Sequence, residues 1–269
     1  MTGLKVRNIE VGPLIGVAPS FRVYPGKTDD GKSVILKVAK TFEDGDVLMN
    51  DASRFTRLNT FEKELAKFEM EQNESNSHYD WLFAHLESSF LEPTQNDRRI
   101  NVYTTPEIEI DKLIPLSKLR LDTEIDARTS IWILGRLFKF YSLFELRAVS
   151  EEAVYPKYPF FWIDDFLIAP KEHRLVYYNY SDEYTSFYAN EEVKAVSHYI
   201  KEWAVCGNDP AEQEYSNLLD DFVKTGCESF AKAHRELYEL VEEHWGFKYH
   251  PFTHRDQGTI IWNTIEKGE

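Results

Sequence analysis

A chain of 269 residues with 42% hydrophobic and 14% aromatic side chains has ample material for a buried core, which excludes disorder as its global state. Its formal net charge of -15 repels nucleic acid and anionic membrane over most of the surface, and no basic run reverses this locally. Cys206 and Cys227 alone do not make a disulfide framework, the opening Met1-Thr2-Gly3-Leu4-Lys5 is not an apolar signal segment, and no stretch approaches the ~18 apolar residues of a membrane span. A reducing, cytoplasmic setting is the expectation that follows, with no membrane and no nucleic acid as partner.

In chain order, Leu14 to Tyr24 and Ser33 to Val38 read as strands separated by the turn formers Pro25 to Gly31. Residues 53–71 read as a helix, with Phe61, Leu65 and Phe68 at helical spacing. Trp81 to Phe90 and Arg99 to Thr105 read as two further strands turning at Asn96-Asp97. A long helix over 126–147 presents Ile131, Leu134, Phe138 and Tyr141 on one face. Phe166 to Ile168 and Leu175 to Tyr178 form a short hairpin. Helices follow over 191–205, 210–224 and 227–244, the second opened by Pro210 after Asn208-Asp209. Thr259 to Trp262 reads as a strand or packed extension.

Four segments carry chemistry. Ile15 to Tyr24 sets Gly16, Ala18 and Phe21 at intervals of two and three, followed by Val23. Lys37 lies among aliphatics in Val34-Ile35-Leu36-Lys37-Val38, where a charge needs a reason to enter an apolar strand. Such a lysine needs a carboxylate, and the predicted helix offers Glu64, with Glu62 as the alternative. Tyr158 to Ile168 contains Asp164 and Asp165, and the hairpin then leads to Asn179-Tyr180-Ser181.

In this order the segments resemble the protein-kinase family over residues 11–205. Gly16, Ala18 and Phe21 stand where that family has three glycines closing over nucleotide phosphates, and Val23 where a residue covers the adenine. Lys37 stands for the phosphate-binding lysine and Glu64 for its helix partner. The family's histidine, catalytic aspartate and metal-binding asparagine fall on Tyr158, Phe160 and Asp165, and its nearby lysine on Trp162. Its magnesium-binding Asp-Phe-Gly falls on Asn179-Tyr180-Ser181. Phenylalanine cannot accept a proton, and a neutral amide binds a hard cation less strongly than a carboxylate. Residues 179–191 also leave little room for a long activation segment.

The resemblance therefore implies an α+β, two-lobed fold. It has a β-rich N-lobe over residues 1–106 and a shortened helical C-lobe with a central hairpin over 107–269. It implies a catalytically degraded, pseudokinase-type binding or scaffold module with a protein partner, not an enzyme. ATP, with or without magnesium, is the candidate cofactor, through Gly16, Ala18, Val23, Lys37, Glu64, Asp165 and Asn179. The alternative is an atypical phosphotransferase or nucleotidyltransferase on the same fold, in which Asp164 and Asp165 hold a metal. An open pocket joining Asp165, Asn179 and Lys37 favours the alternative, and plugging by Phe21, Phe160 or Trp162 counts against it. Elsewhere, His250 and His254 are four apart, but Pro251 argues against a helical metal pair.

Overall fold

The computed structural model describes residues 5–72, 77–105, 113–179, 185–246, 248–256 and 263–265. The expected tail strand Thr259 to Trp262, the boundary between residues 106 and 107, and Tyr180 and Ser181 lie outside the described residues. The chain opens with β1 (Lys5–Val6), β2 (Ile9–Val11), β3 (Gly16–Val17), β4 (Phe21–Thr28) and β5 (Ser33–Ala39). Helix α1 (Gly45–Glu71), a one-turn 3-10 helix (Tyr79–Leu82), β6 (His85–Glu92) and β7 (Arg98–Thr104) follow. Then come β8 (Ile114–Pro115), α2 (Leu116–Asp122), β9 (Thr123–Asp126), α3 (Ala127–Ser150) and β10 (Tyr158–Pro159). The hairpin strands are β11 (Phe166–Ala169) and β12 (Arg174–Tyr177), before β13 (Thr185–Ser186) and α4 (Ala189–Lys201). The remainder is β14 (Ala204–Val205), α5 (Pro210–Thr225), α6 (Phe230–Trp245), β15 (Phe252–Asp256) and β16 (Asn263–Ile265).

Two compact units divide the chain: residues 1–115, 164–169 and 176–180 form one, and 116–163, 170–175 and 181–269 the other. The first is built on an antiparallel sheet ordered β1-β2-β4-β5-β7-β6, with β3 also paired to β4. One face buries Val34, Leu36, Val38, Ile100, Val102 and Tyr24 in an apolar cluster. Side chains alternate across a strand, so Ile35, Lys37, Asn101 and Tyr103 belong to the opposite face, where α1 packs.

Three local readings of the sequence are corrected here. Pro25 and Gly26 lie inside β4, and the turn comes later, at Asp29 to Lys32, with Gly31 at φ +87. Gly26 is required by packing: a Cβ there would sit 2.4 Å from Leu36 Cδ1 and 2.7 Å from Ile9 Cγ2. Helix α1 begins at Gly45 rather than residue 53, because Leu48, Ala52, Phe55 and Leu58 give its first half a buried face. In the same helix Phe68, one of the three apolar residues at helical spacing, is exposed. Trp81 and Leu82 belong to the 3-10 turn, and the strand starts only at His85.

The second unit gathers around α3. Phe138 meets Phe222 edge-on at 5.5 Å, and Tyr141 stacks on Phe230 at 4.7 Å. Three of its helices start at capped positions: Asp126 accepts from Thr129 N–H, Asp209 from Ala211 and Glu212 N–H before Pro210, and Ser229 from Lys232 N–H. A sheet ordered β14-β9-β15-β16 lies beside α3. His250 pairs with Asp126 at 3.0 Å, while His254 lies in β15 opposite Ile125. Among the described residues, no helix is long and apolar enough to cross a membrane.

Candidate functional site

The sheet register places the residues singled out by sequence in one row. Gly16 is opposite Val23, Val23 opposite Lys37, and Lys37 opposite Asn101. Directly opposed residues of an antiparallel pair share a face, so Lys37 projects to the α1 side. There it has 0% exposure. A buried ammonium is tolerable only when paired.

The pairing is with Asp51, which accepts from Lys37 Nζ at 2.8 Å on one oxygen and 2.9 Å on the other. Glu64, the expected partner, is exposed on α1, and Glu62 is buried away from Lys37 beside Asp80. The eight-residue earlier start of α1 explains the change, since it brings Asp51 opposite the centre of β5. Asp51 also accepts from the Tyr103 hydroxyl and from Asn101 Nδ2, the latter at 3.4 Å. Asn101 Nδ2 donates to Leu48 O at 2.7 Å as well. Burial pushes the Lys37 pKa down, and Asp51 pulls it back up. Burial and the Asp51 charge raise that of Tyr103. The signal for Asp51 was present in the sequence: it is a lone acid in the stripe Leu48, Ala52, Phe55, Leu58.

Aromatic rings enclose the ammonium. Lys37 Nζ lies 4.7 Å from the Tyr103 ring centroid, 5.0 Å from Phe55, 5.4 Å from Phe21 and 5.9 Å from Tyr178. Phe21 comes from the turn in which Ala18 N–H donates to Phe21 O at 2.9 Å. Tyr178 reaches Gly16, where an added Cβ would lie 3.4 Å from its hydroxyl. The glycine of this loop thus rests on a tyrosine.

Asp165 and Asn179 are buried in the same unit, with Asn179 Nδ2 donating to Asp165 Oδ1 at 2.6 Å. Tyr178 N–H donates to Asp165 O at 2.9 Å, and the Asp165 charge reaches Lys37. Burial, then Asp165 and Asp164, raise the Tyr178 pKa. Asp164 itself is exposed.

In the second unit, Phe160 and Trp162 are exposed. Between them, Phe161 N–H donates at 3.1 Å to the buried Glu192 of α4. Tyr158 donates its hydroxyl to Glu145 of α3 at 2.9 Å. Glu145 also accepts from Phe230 N–H at 2.6 Å and Ala231 N–H at 3.0 Å, so it caps α6 from another helix. Neither Glu145 nor Glu192 had a local sequence signal, because each acts on backbone distant in the chain.

Lys37 is closed off within its own unit. The ammonium presents no open face, its charge is matched by Asp51, and rings occupy the surrounding space. Asp165 has one oxygen engaged by an amide rather than turned to a cation.

No protein-family model matches the sequence, and no curated protein matches it. Solved structures do. The PknI kinase domain of Mycobacterium tuberculosis superposes with a TM-score of 0.52 at 9% identity, covering 89% of this chain and 99% of that one. Vaccinia related kinase 3 gives 0.55 at 10% identity, covering 90% and 92%. The pseudokinase domain of BIR2, an immune regulator of the RLK/Pelle family, gives 0.52 at 12% identity, covering 86% and 81%. The chain therefore has an α+β, protein-kinase-like fold, with an antiparallel sheet in one unit and helices in the other.

Proposed function

Given a protein-kinase-like fold, we propose that this chain is a pseudokinase-type binding module, a scaffold that engages a protein partner and transfers no phosphate. The observation that carries this reading is the enclosure of Lys37 by Asp51 and four rings. The lysine that in kinases meets the nucleotide here serves the interior of its own unit.

Phe160 adds support. It stands where the family has its catalytic aspartate, and a phenyl ring neither orients a hydroxyl nor takes its proton. Removing one preorganised electrostatic group typically costs about 100-fold or more in rate. Losing the aspartate and an accessible lysine together leaves negligible turnover. The BIR2 domain, itself a pseudokinase, is a precedent on the same fold. The net charge of -15 argues against nucleic acid as partner, and two unpaired cysteines suit a reducing compartment. The phosphotransferase alternative requires Lys37, Asp165 and Asn179 on an open polar pocket; all three are buried.

The reading is tested by incubating the purified chain with magnesium and γ-labelled ATP, alone and with a basic acceptor protein. No label should enter either protein. Transfer that disappears in a Lys37→Met variant would overturn the proposal.

A further inference from the structure

Helices α5 and α6 pack together in the second unit and bring two carboxylates and an imidazole to one spot. Glu214 lies on α5, and Glu243 and His244 lie in the last turn of α6. One carboxylate oxygen from each glutamate and one ring nitrogen of the histidine all fall within 4.8 Å of one another. His244 Nε2 is 2.8 Å from Glu214 Oε2. Among the described residues, no other three side chains of histidine, cysteine, aspartate or glutamate gather this closely.

The backbone beneath the three is held in place. Tyr215, next to Glu214, is buried and accepts from the Ser130 hydroxyl at 2.9 Å, which sets the rotation of α5. Leu237 and Leu240 bury the inner face of α6. The end of α6 is fixed by Gly246 N–H, which donates to Glu242 O at 3.3 Å, and by Arg128 over the Trp245 ring at 5.9 Å. The side chains stay reachable from solvent, with that of Glu214 55% exposed and that of His244 20% exposed.

Nearby acids on these helices find cations: Asp220 pairs with Lys201, and Glu228 with Lys232. Glu214 and Glu243 have no lysine or arginine partner among the described residues. Two carboxylates meeting beside one imidazole leave negative charge that a single proton does not balance, and the carbonyl end of α6 adds to it.

We propose that Glu214, Glu243 and His244 bind a divalent cation of the zinc class, which clips α5 to α6. The imidazole favours a borderline transition metal, whereas magnesium prefers oxygen ligands in a near-ideal octahedron. Zinc takes such nitrogen and oxygen ligands at about 2.0–2.2 Å, which draws the three atoms to roughly 3.5 Å from one another. Rotation of the two exposed glutamates supplies that movement. Three protein ligands leave the fourth position open to water or to a partner's side chain. The inference goes beyond the functional reading above and holds whether or not the chain transfers phosphate.

Isothermal titration calorimetry of the metal-stripped full chain with zinc chloride reads the site. One zinc should bind per chain, in the presence or absence of millimolar magnesium. His244→Gln, Glu214→Gln and Glu243→Gln should each weaken binding about tenfold or more. His250→Gln should bind like the native chain. The absence of saturable zinc binding overturns the proposal. So does binding that is unchanged in both His244→Gln and Glu214→Gln, which would place the zinc elsewhere. If His244→Gln does not fold, the two glutamate variants decide, and unweakened binding in both is fatal to the site.

Discussion

Replacing Asp51 with alanine should cost about 3–5 kcal/mol of folding stability, because it strands a charged lysine in the interior. Lys37 has 0% exposure and donates to both oxygens of Asp51. The same substitution deprives the Tyr103 hydroxyl and the Asn101 amide of their shared acceptor. An exposed pair would lose no more than about 1 kcal/mol. The double variant Lys37→Met, Asp51→Leu removes both charges and keeps apolar volume among Phe21, Phe55 and Tyr178. Such exchanges are often neutral or stabilising, so it should recover most of the loss. Urea denaturation of the native chain, the single variant and the double variant gives the three values. A small loss in Asp51→Ala would mean that Lys37 opens to solvent, and the enclosure on which the functional reading rests would be wrong.

The second large effect is expected at Glu145. One carboxylate takes the Tyr158 hydroxyl and two backbone N–H groups of the first turn of α6. Leaving a buried donor unsatisfied costs about 1–3 kcal/mol each, and Tyr158 and Phe230 are buried while Ala231 is exposed, so Glu145→Ala should lose about 2 kcal/mol or more. Burial pushes the Glu145 pKa up, with the three donors pulling it down. Glutamine does not rescue it, since its amide nitrogen would face an N–H donor. Exchange protection at Phe230 and Ala231 should collapse first, while that of α1 is untouched. Unchanged protection at those two amides would show that Ser229 caps α6 adequately alone.

Much of the fold was legible in sequence, for reasons that particular residues make clear. Strand β5 announced itself through aliphatics around Lys37, and α3 through its repeat of Ile131, Leu134, Phe138 and Tyr141. Helix α5 was marked by Asp209 and Pro210 at its start. What was lost is where tertiary packing overrides local preference. The first turns of α1 contain Gly45, Asp46, Asn50 and Asp51, all weak helix formers, and they are helical because Leu48 and Phe55 are buried. Pro25 and Gly26 read as a turn, but the close approach of Leu36 and Ile9 needs a strand without a side chain. The pairing of β15 with β9, more than a hundred residues earlier, had no local signal.

At the site, the lysine was read correctly and its partner was missed, although Asp51 stands as a lone acid in an apolar stripe. Matching the family's helix glutamate to a helix placed eight residues too late selected Glu64 instead of Asp51. Sequence could likewise name Phe21 as bulky for a glycine position, but its approach to the ammonium depends on the turn at Ala18 to Phe21.

The most direct test of the central claim is a thermal-shift titration of the purified chain with ATP, with and without magnesium. A ligand that binds only the native state stabilises it by RT ln(1 + [L]/Kd), and so raises the melting temperature. With Lys37 enclosed, the melting temperature should stay flat to millimolar ATP in both conditions. A saturable, magnesium-dependent rise that is lost in the Lys37→Met variant would contradict the account, because it would place the lysine on a nucleotide phosphate.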